Sequence, residues 1–449
     1  MRLMRLCTIS LLALAWAWID PALCVSHAAA RRLHSFQKIQ LTREFWAEGA
    51  AFGDFNRDGH PDVAYGPHWY AGPTFAQRKE FRPATQSFKL KQPDGTETTI
   101  PGFEGALSKR NGYSDNFLTF TYDFNGDGWT DILAYGFPGK EAAWFENPKN
   151  KPGHWPRHVI FEGLDNESPG FADVTGDGKP EIICCSQGRI GYAEADWSRP
   201  EAPWTFRAVS PKGSYQRFTH GLGLGDVNGD GRPDLLEKDG WWEQPPSLAG
   251  APLWKKHESN FGPGGAQMFA YDVNGDGLSD VITSLEAHGY GLAWFEQVRR
   301  DGHITFRQHL IMGSEPAQNR YGVKFSQPHA LDLADLDGDG LKDLVVGKRF
   351  WAHGPDHDPE PNAPAVLYWF QLRRLPGGEV DFVPWLVDDD SGVGTQVMIG
   401  HGNRDKLPDI LVGNKKGAFV FLHVAKRASR AQWQAAQPQP LANATPVQP

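Results

Sequence analysis

The stretch DVNGDGRPD, residues 226–234, places side-chain oxygens at Asp226, Asn228, Asp230 and Asp234 and a glycine, Gly231, at its sixth position. The same arrangement returns as DFNRDGHPD (54–62), DFNGDGWTD (123–131), DVTGDGKPE (173–181), DVNGDGLSD (272–280) and DLDGDGLKD (335–343). A seventh copy, HGNRDKLPD (401–409), is degraded: His401 replaces the first acid and Lys406 replaces the glycine. The copies start 46 to 69 residues apart. A period of this length defines a repeat architecture, in which each unit buries its apolar face against its neighbours.

Each copy sits in the same local grammar. An alternating apolar stretch such as Leu222-Gly-Leu224 enters the loop, and a short apolar run such as Asp131-Ile-Leu-Ala-Tyr135 leaves it. An aromatic strand follows: AWFENP (143–148), GWWEQP (240–245), AWFEQ (293–297) or YWFQL (368–372). A further strand often ends the unit, as in HWPRHVI (154–160), ITFRQHLI (304–311) and VDFVPWLV (380–387). Four strands per repeat make the blade of a β-propeller. The 50 Gly, 34 Pro and 12% aromatic content suit many short strands joined by turns.

The predicted fold is therefore all-β, a seven-bladed β-propeller spanning 31–424, with insertions at 73–112, 312–326 and 351–364. The last unit lacks a fourth strand. SFQKIQLT (35–42) precedes the first unit without a blade of its own and is expected to complete the last one. Closing the ring this way leaves only short edges. The Pro/Ala/Gln-rich stretch 425–449 is expected to be a disordered tail.

Residues 1–30 have the marks of a secretory signal peptide: Arg2 and Arg5, an apolar run from Ile9 to Trp18, and Ala28-Ala29-Ala30 as the cleavage signal. The apolar run is shorter than a membrane span needs. No later segment could span a bilayer, so the mature chain is expected to be extracytoplasmic, secreted or periplasmic. Only Cys184 and Cys185 then remain. Being adjacent on a strand they point to opposite faces, so disulfides do not hold the fold. The net charge of −9 gives no reason to expect nucleic acid or an anionic membrane as partner.

Oxygens at positions one, three and five, a glycine at six, a backbone carbonyl at seven and an acid at nine suit calcium, a hard cation that takes six to eight oxygens. Six loops supply the set: Asp54, Asn56, Asp58 and Asp62; Asp123, Asn125, Asp127 and Asp131; Asp173, Thr175, Asp177 and Glu181; Asp226, Asn228, Asp230 and Asp234; Asp272, Asn274, Asp276 and Asp280; Asp335, Asp337, Asp339 and Asp343. The third set is the weakest, and the seventh copy is expected to bind nothing. Calcium here would be structural.

These loops, with the aromatic strand after them, resemble the FG-GAP/VCBS repeats of integrin-like seven-bladed propellers over about residues 34–424. More narrowly, the chain resembles the propeller portion of aldos-2-ulose dehydratases. That likeness implies removal of water from a keto-sugar with a metal in the propeller. Cupin domains carried by those enzymes have no counterpart here.

The resembled fold puts the calcium loops on one face, so a ligand site is expected at the other, where inner strands start. Six residues before each loop stand Glu48, Phe117, Glu167, His220, Ala266, His329 and Thr395. Segments after the second strands add His68, His288, Lys348 and His353, and FWAHGPDHDPE (350–360) adds Asp356, His357 and Asp358. Catalytic candidates are thus Glu48, Glu167, His220, His288, His329, Lys348 and His353. Imidazoles and carboxylates in one pocket suit zinc or another divalent ion.

Two functional classes follow. One is a carbohydrate lyase, a keto-sugar dehydratase, with a divalent metal at the funnel. The other is a calcium-stabilised propeller that binds a glycan or a protein without catalysis. A serine or cysteine hydrolase is disfavoured, because no nucleophile elbow is present.

Overall fold

The computed structural model describes residues 31–442 apart from Lys109. The expected signal peptide, 1–30, and the end of the tail, 443–449, lie outside the described residues. The chain is built almost entirely of strands arranged as antiparallel meanders. The first runs through Ala50–Gly53, Asp62–Tyr65, His68–Ala71 and Gln77–Glu80, each strand pairing with the next. One 16-residue strand, Arg157–Ala172, ends one meander and begins the next, so those two merge into a seven-stranded sheet. Parallel pairing of Leu222–Gly225 with Gln267–Tyr271 similarly fuses two more into an eight-stranded sheet. A Cβ on Gly223 would lie 2.0 Å from the Met268 carbonyl oxygen, so only glycine allows this approach of two inner strands.

Every acidic loop joins the first and second strands of a meander, and its ninth residue explains why. That carboxylate is buried in each copy. In the loop at 226–234, Asp234 accepts the backbone N–H of Val227 at 3.0 Å and that of Gln244, just past the third strand, at 2.9 Å. Asp62, Asp131, Asp280 and Asp343 repeat both bonds in their own copies. Position six has positive φ throughout, from Gly59 at 78° to Gly340 at 90°, which favours glycine.

Neighbouring meanders are clasped at the loops. Asn147, Gln244 and Gln297 each donate a side-chain amide at 2.8 Å to the carbonyl oxygen of the loop's second residue in the preceding unit: Phe55, Val174 and Val227. Apolar cores fill the seams. One contains Phe117, Leu133, Trp144, Ile182 and Trp204, and another Ala266, Ile282, Leu344 and Phe370. The seam between the last and first units holds Trp46, Val63, Tyr65, Leu411 and Val420, so the ring is closed. Closure is completed by the N-terminal strand: Arg32–Thr42 pairs antiparallel with Gly417–Arg427.

The tail differs from expectation. Strand pairing continues to Arg427, and Arg430–Ala436 is a helix with Ser429 as its capping residue. Leu441 then donates its N–H to the Arg320 carbonyl at 2.9 Å. A Ser-x-x-Gln capping box and hydrogen bonds to Arg320 and Arg373 outweigh the low-complexity composition. Cys184 and Cys185 are buried and free, as their alternation predicts.

Candidate functional site

At the end of the strands opposite the acidic loops, four predicted residues meet. Ligand atoms of Glu167, His220, His288 and His329 all lie within 4.8 Å of one another. Their positions come from breaks in regular structure. Pairing of Arg157–Ala172 with its neighbour slips between Asp165 and Gly170, and Glu167 projects from this bulge. Asn166 (φ 90°) and Gln327 (φ 60°) occupy left-handed backbone beside Glu167 and His329. Non-glycine residues held there cluster at functional sites.

His220 Nε2 is 3.1 Å from His288 Nε2 and 3.6 Å from Glu167 Oε2, and His329 Nε2 is 3.3 Å from the same oxygen. His220 Nδ1 is 3.0 Å from the Phe218 carbonyl oxygen. A carbonyl can only accept, so Nδ1 carries the proton and the Nε2 lone pair faces inward. Burial lowers the pKa of all three imidazoles, His329 to about 4, with the Arg349 charge adding to the effect. Glu167 goes the other way. Burial raises it, but the hydrogen bond from His329 and the charges of His329, Arg349 and His220 outweigh burial and hold it well below the usual carboxylate range. An ionised carboxylate thus stands beside three imidazoles whose charged forms burial disfavours. Nδ1 of both His288 and His329 is buried without a partner.

Arg349, which the sequence reading missed, is the hub beneath this set. It is 2% exposed. Its guanidinium reaches Glu48 Oε2 at 3.0 Å, Glu167 Oε2 at 3.3 Å and His329 Nε2 at 2.9 Å. Glu48 therefore joins through the arginine and not directly. Lys348 beside it points away, donating to Ser326 Oγ at 2.6 Å, and burial lowers its pKa to about 8. His68 stays apart, packed edge-on against Trp46 with ring centroids 5.4 Å apart. It follows a two-residue turn directly, which leaves no chain to reach the axis. His353 lies outside the first set but stacks near His288, centroids 4.3 Å apart, and its Nδ1 is 2.8 Å from Asp358 Oδ1. Asp356 and His357 make no side-chain contact that brings them to the cluster. A second unpredicted residue, buried Lys415, fixes this loop by donating to the Trp351 carbonyl at 2.6 Å.

His220 and His288 form one wall of a cleft of about 380 Å³, whose other walls include Tyr215, Phe218, Lys238 and Glu286. Phe218 is 43% exposed at its mouth. The volume is within the range of small-molecule sites.

Two of the acidic loops gather their carboxylates. In the loop at 173–181, carboxylate oxygens of Asp173, Asp177 and Glu181 lie within 4.8 Å of one another, and at 335–343 those of Asp335, Asp337 and Asp339 do. Oδ1 of Asp54 is buried without a hydrogen-bond partner. Burial, reinforced by the neighbouring loop acids, raises Asp131, Asp234 and Asp280 to about 7. Crowded carboxylates with an orphaned oxygen fit a bound cation.

The molecule is a β-propeller by fold. Within it, residues 123–184 and 272–346 match the FG-GAP-like repeat family. Among solved structures, an Agrocybe aegerita lectin that recognises non-reducing terminal N-acetylglucosamine is similar at 17% identity, covering 76% of this chain and 80% of the lectin, with a TM-score of 0.41. Rhamnogalacturonan lyase YesW is similar at 13% identity, covering 87% of this chain and 72% of its own, with a TM-score of 0.38. Bacillus licheniformis rhamnogalacturonan lyase PL11 is similar at 12% identity over the same shares, with a TM-score of 0.37. Among the described residues no helix is long and apolar enough to cross a membrane.

Proposed function

We propose that this is a seven-bladed propeller stabilised by calcium in its acidic loops, with a divalent-metal site at the channel mouth that acts on a small keto-sugar as a dehydratase. The blade count is supported by strand pairings that sort into seven four-stranded meanders, the last completed by Arg32–Thr42. The single observation carrying the site is the convergence of Glu167, His220, His288 and His329, of which His220 and His288 line the 380 Å³ cleft. Three imidazoles and a carboxylate are a borderline divalent ion's ligands.

Bound there, such an ion would polarise a carbonyl and acidify the adjacent C–H. The chain's own residues supply the rest. Tyr215 and Phe218 line the cleft and would orient the sugar ring. His353, held by Asp358 beside His288, would act as the general base. The C–H bond next to the carbonyl breaks and its proton goes to His353. A carbon–carbon double bond forms as the β C–O bond breaks, and the hydroxyl takes that proton and leaves as water.

Metal analysis of the purified protein tests this. Several calcium ions and a single transition-metal ion per chain are expected, with the latter lost in His220→Ala/His288→Ala. Calcium alone would sink the lyase reading. One observation favours the alternative, a glycan- or protein-binding propeller without catalysis: Arg349 already places a cation against Glu167 and His329, two of the four ligands.

A further inference from the structure

A second cavity, of about 430 Å³, opens at the loop end of the molecule, away from the cluster described above. Its walls come from four parts of the chain: the third and fourth strands around Trp369 and Trp385, the acidic loop at Asp337 to Asp339, the N-terminal end with Arg31 and Arg32, and the C-terminal helix with Trp433. The tail is therefore its roof. Ala428 N–H bonds the Arg31 carbonyl at 2.9 Å, and Arg373 ties strand to helix by donating to Gln437 Oε1 at 2.6 Å.

Two properties of the lining define an occupant. The first is aromatic. Trp369 and Trp385 are stacked with centroids 6.0 Å apart, and Trp433 faces Arg373 from the roof. Unlike Trp369, Trp385 and Trp433 are partly exposed, so they present surface to a ligand. Flat indole faces suit the C–H face of a pyranose ring.

The second is charge. Arg31, Arg32 and Arg373 form no ion pair with a carboxylate among the described residues, although all three line one cavity. Two acids share the lining, Asp337, held by the Gln371 amide, and Asp339, which accepts the Leu341 N–H; Arg373 bonds Gln371 Oε1 through Nε and Nη2, so the guanidiniums left open to an anion are those of Arg31 and Arg32. Guanidinium groups match carboxylate and sulfate geometry in a two-pronged fashion.

We propose that this cavity is a binding site for an acidic saccharide, a glycan bearing carboxylate or sulfate groups, independent of the channel-mouth site. It would hold the protein to a charged polysaccharide while the other face stays open.

Calorimetric titration in saturating calcium tests the site with four probes: a heparin-derived hexasaccharide, a polygalacturonate hexasaccharide, neutral maltohexaose and a hexaglutamate peptide. At least one acidic saccharide is expected to bind, and the two arms separate sulfate from carboxylate. Its affinity should fall as salt rises. Maltohexaose should bind at least about tenfold more weakly. Trp433→Ala and Arg31→Ala/Arg32→Ala should each cost about tenfold or more. Arg31 and Arg32 are exposed, so the double variant tests charge without disturbing the core. His220→Ala/His288→Ala should leave binding unchanged, which keeps this site separate from the channel reading. The proposal is overturned by no binding of either acidic saccharide, by equal binding of maltohexaose or hexaglutamate, or by full affinity in both lining variants.

Discussion

The two ends of the blades are built on opposite principles. At the loop end one nine-residue pattern recurs, and the same two backbone N–H bonds to a buried ninth carboxylate recur with it in every copy but that of Glu181. At the other end no residue recurs in every blade. Glu48, Glu167, His220 and His329 occupy equivalent positions in different blades, yet Phe117, Ala266 and Thr395 occupy the rest. Repetition marks what every blade needs in order to stand. Departure from it marks where the ring is used as a whole, since Arg349 ties together residues 48, 167 and 329 from three separate blades.

The largest effect should come from stripping the loop end of metal. If each of six loops is saturated about 100-fold above its Kd, each contributes roughly 2.7 kcal/mol. Chelation should then lower Tm by on the order of 10 °C or more in a thermal scan. An unchanged Tm would mean that the carboxylates serve only as turns.

At the other end the expected weak point is Arg349. Replacing it by Met leaves Glu48 and Glu167 buried without their cation. Breaking a buried pair this way costs about 3–5 kcal/mol, read as a shift in the urea midpoint. Glu48→Gln/Arg349→Met should recover part of the loss, because one of the stranded charges is gone. Arg307, half exposed and paired with Glu296 on an outer strand, should lose less than about 1 kcal/mol on the same substitution. Equal losses would erase the contrast between the ends.

Within one loop the comparison can be made sharper. Asp280→Ala strands two buried N–H groups, those of Val273 and Gln297, and should cost about 2–4 kcal/mol even without calcium. Asp276, exposed to solvent, accepts only local bonds, from the Leu278 N–H and the Asn274 side-chain amide. Its replacement should cost less than about 1 kcal/mol once calcium is removed, and more when calcium is present. If both variants behave alike in chelator, position nine has no separate framing role.

What the sequence made legible follows the same division. The acidic loops, the aromatic strands and the closing N-terminal strand were readable because they repeat or complete a repeat. The inward set was partly readable, since Glu167, His220 and His329 fall at a constant offset from their loops. Arg349 was not, because no other blade repeats it. His68 and His288 looked equivalent in sequence. In space the turn before His68 is two residues long, whereas residues 285–291 form a loop that carries His288 to the axis. The amide clasps were hidden inside the aromatic motif: Asn147, Gln244 and Gln297 follow a Trp-rich run whose packing role is plainer than its hydrogen bond. Tail order was illegible because it depends on Arg320 and Arg373, which are distant in sequence.

The smallest effect tests the seventh loop, where the two principles meet. Asp409 still accepts the N–H groups of Gly402 and His423, both at 2.7 Å, so the frame survives without the first acid. Lys406 stands at position six with φ 67°, where the other copies have glycine. Left-handed backbone costs a side-chain-bearing residue roughly 1–2 kcal/mol. Lys406→Gly should therefore stabilise the protein, by less than that because glycine also loosens the unfolded chain. The His401 ring bonds the Leu407 carbonyl at 3.2 Å, whereas the first acid of the other copies accepts the position-six N–H. His401→Asp/Lys406→Gly adds the missing first carboxylate to the oxygens of Asn403, Asp405 and Asp409 and returns a glycine to position six, so it should raise the calcium content by one ion per chain. If stability rises with Lys406→Gly but the double variant binds no extra calcium, the spacing of oxygens is not what selects the ion, and the loops owe their repetition to the frame alone.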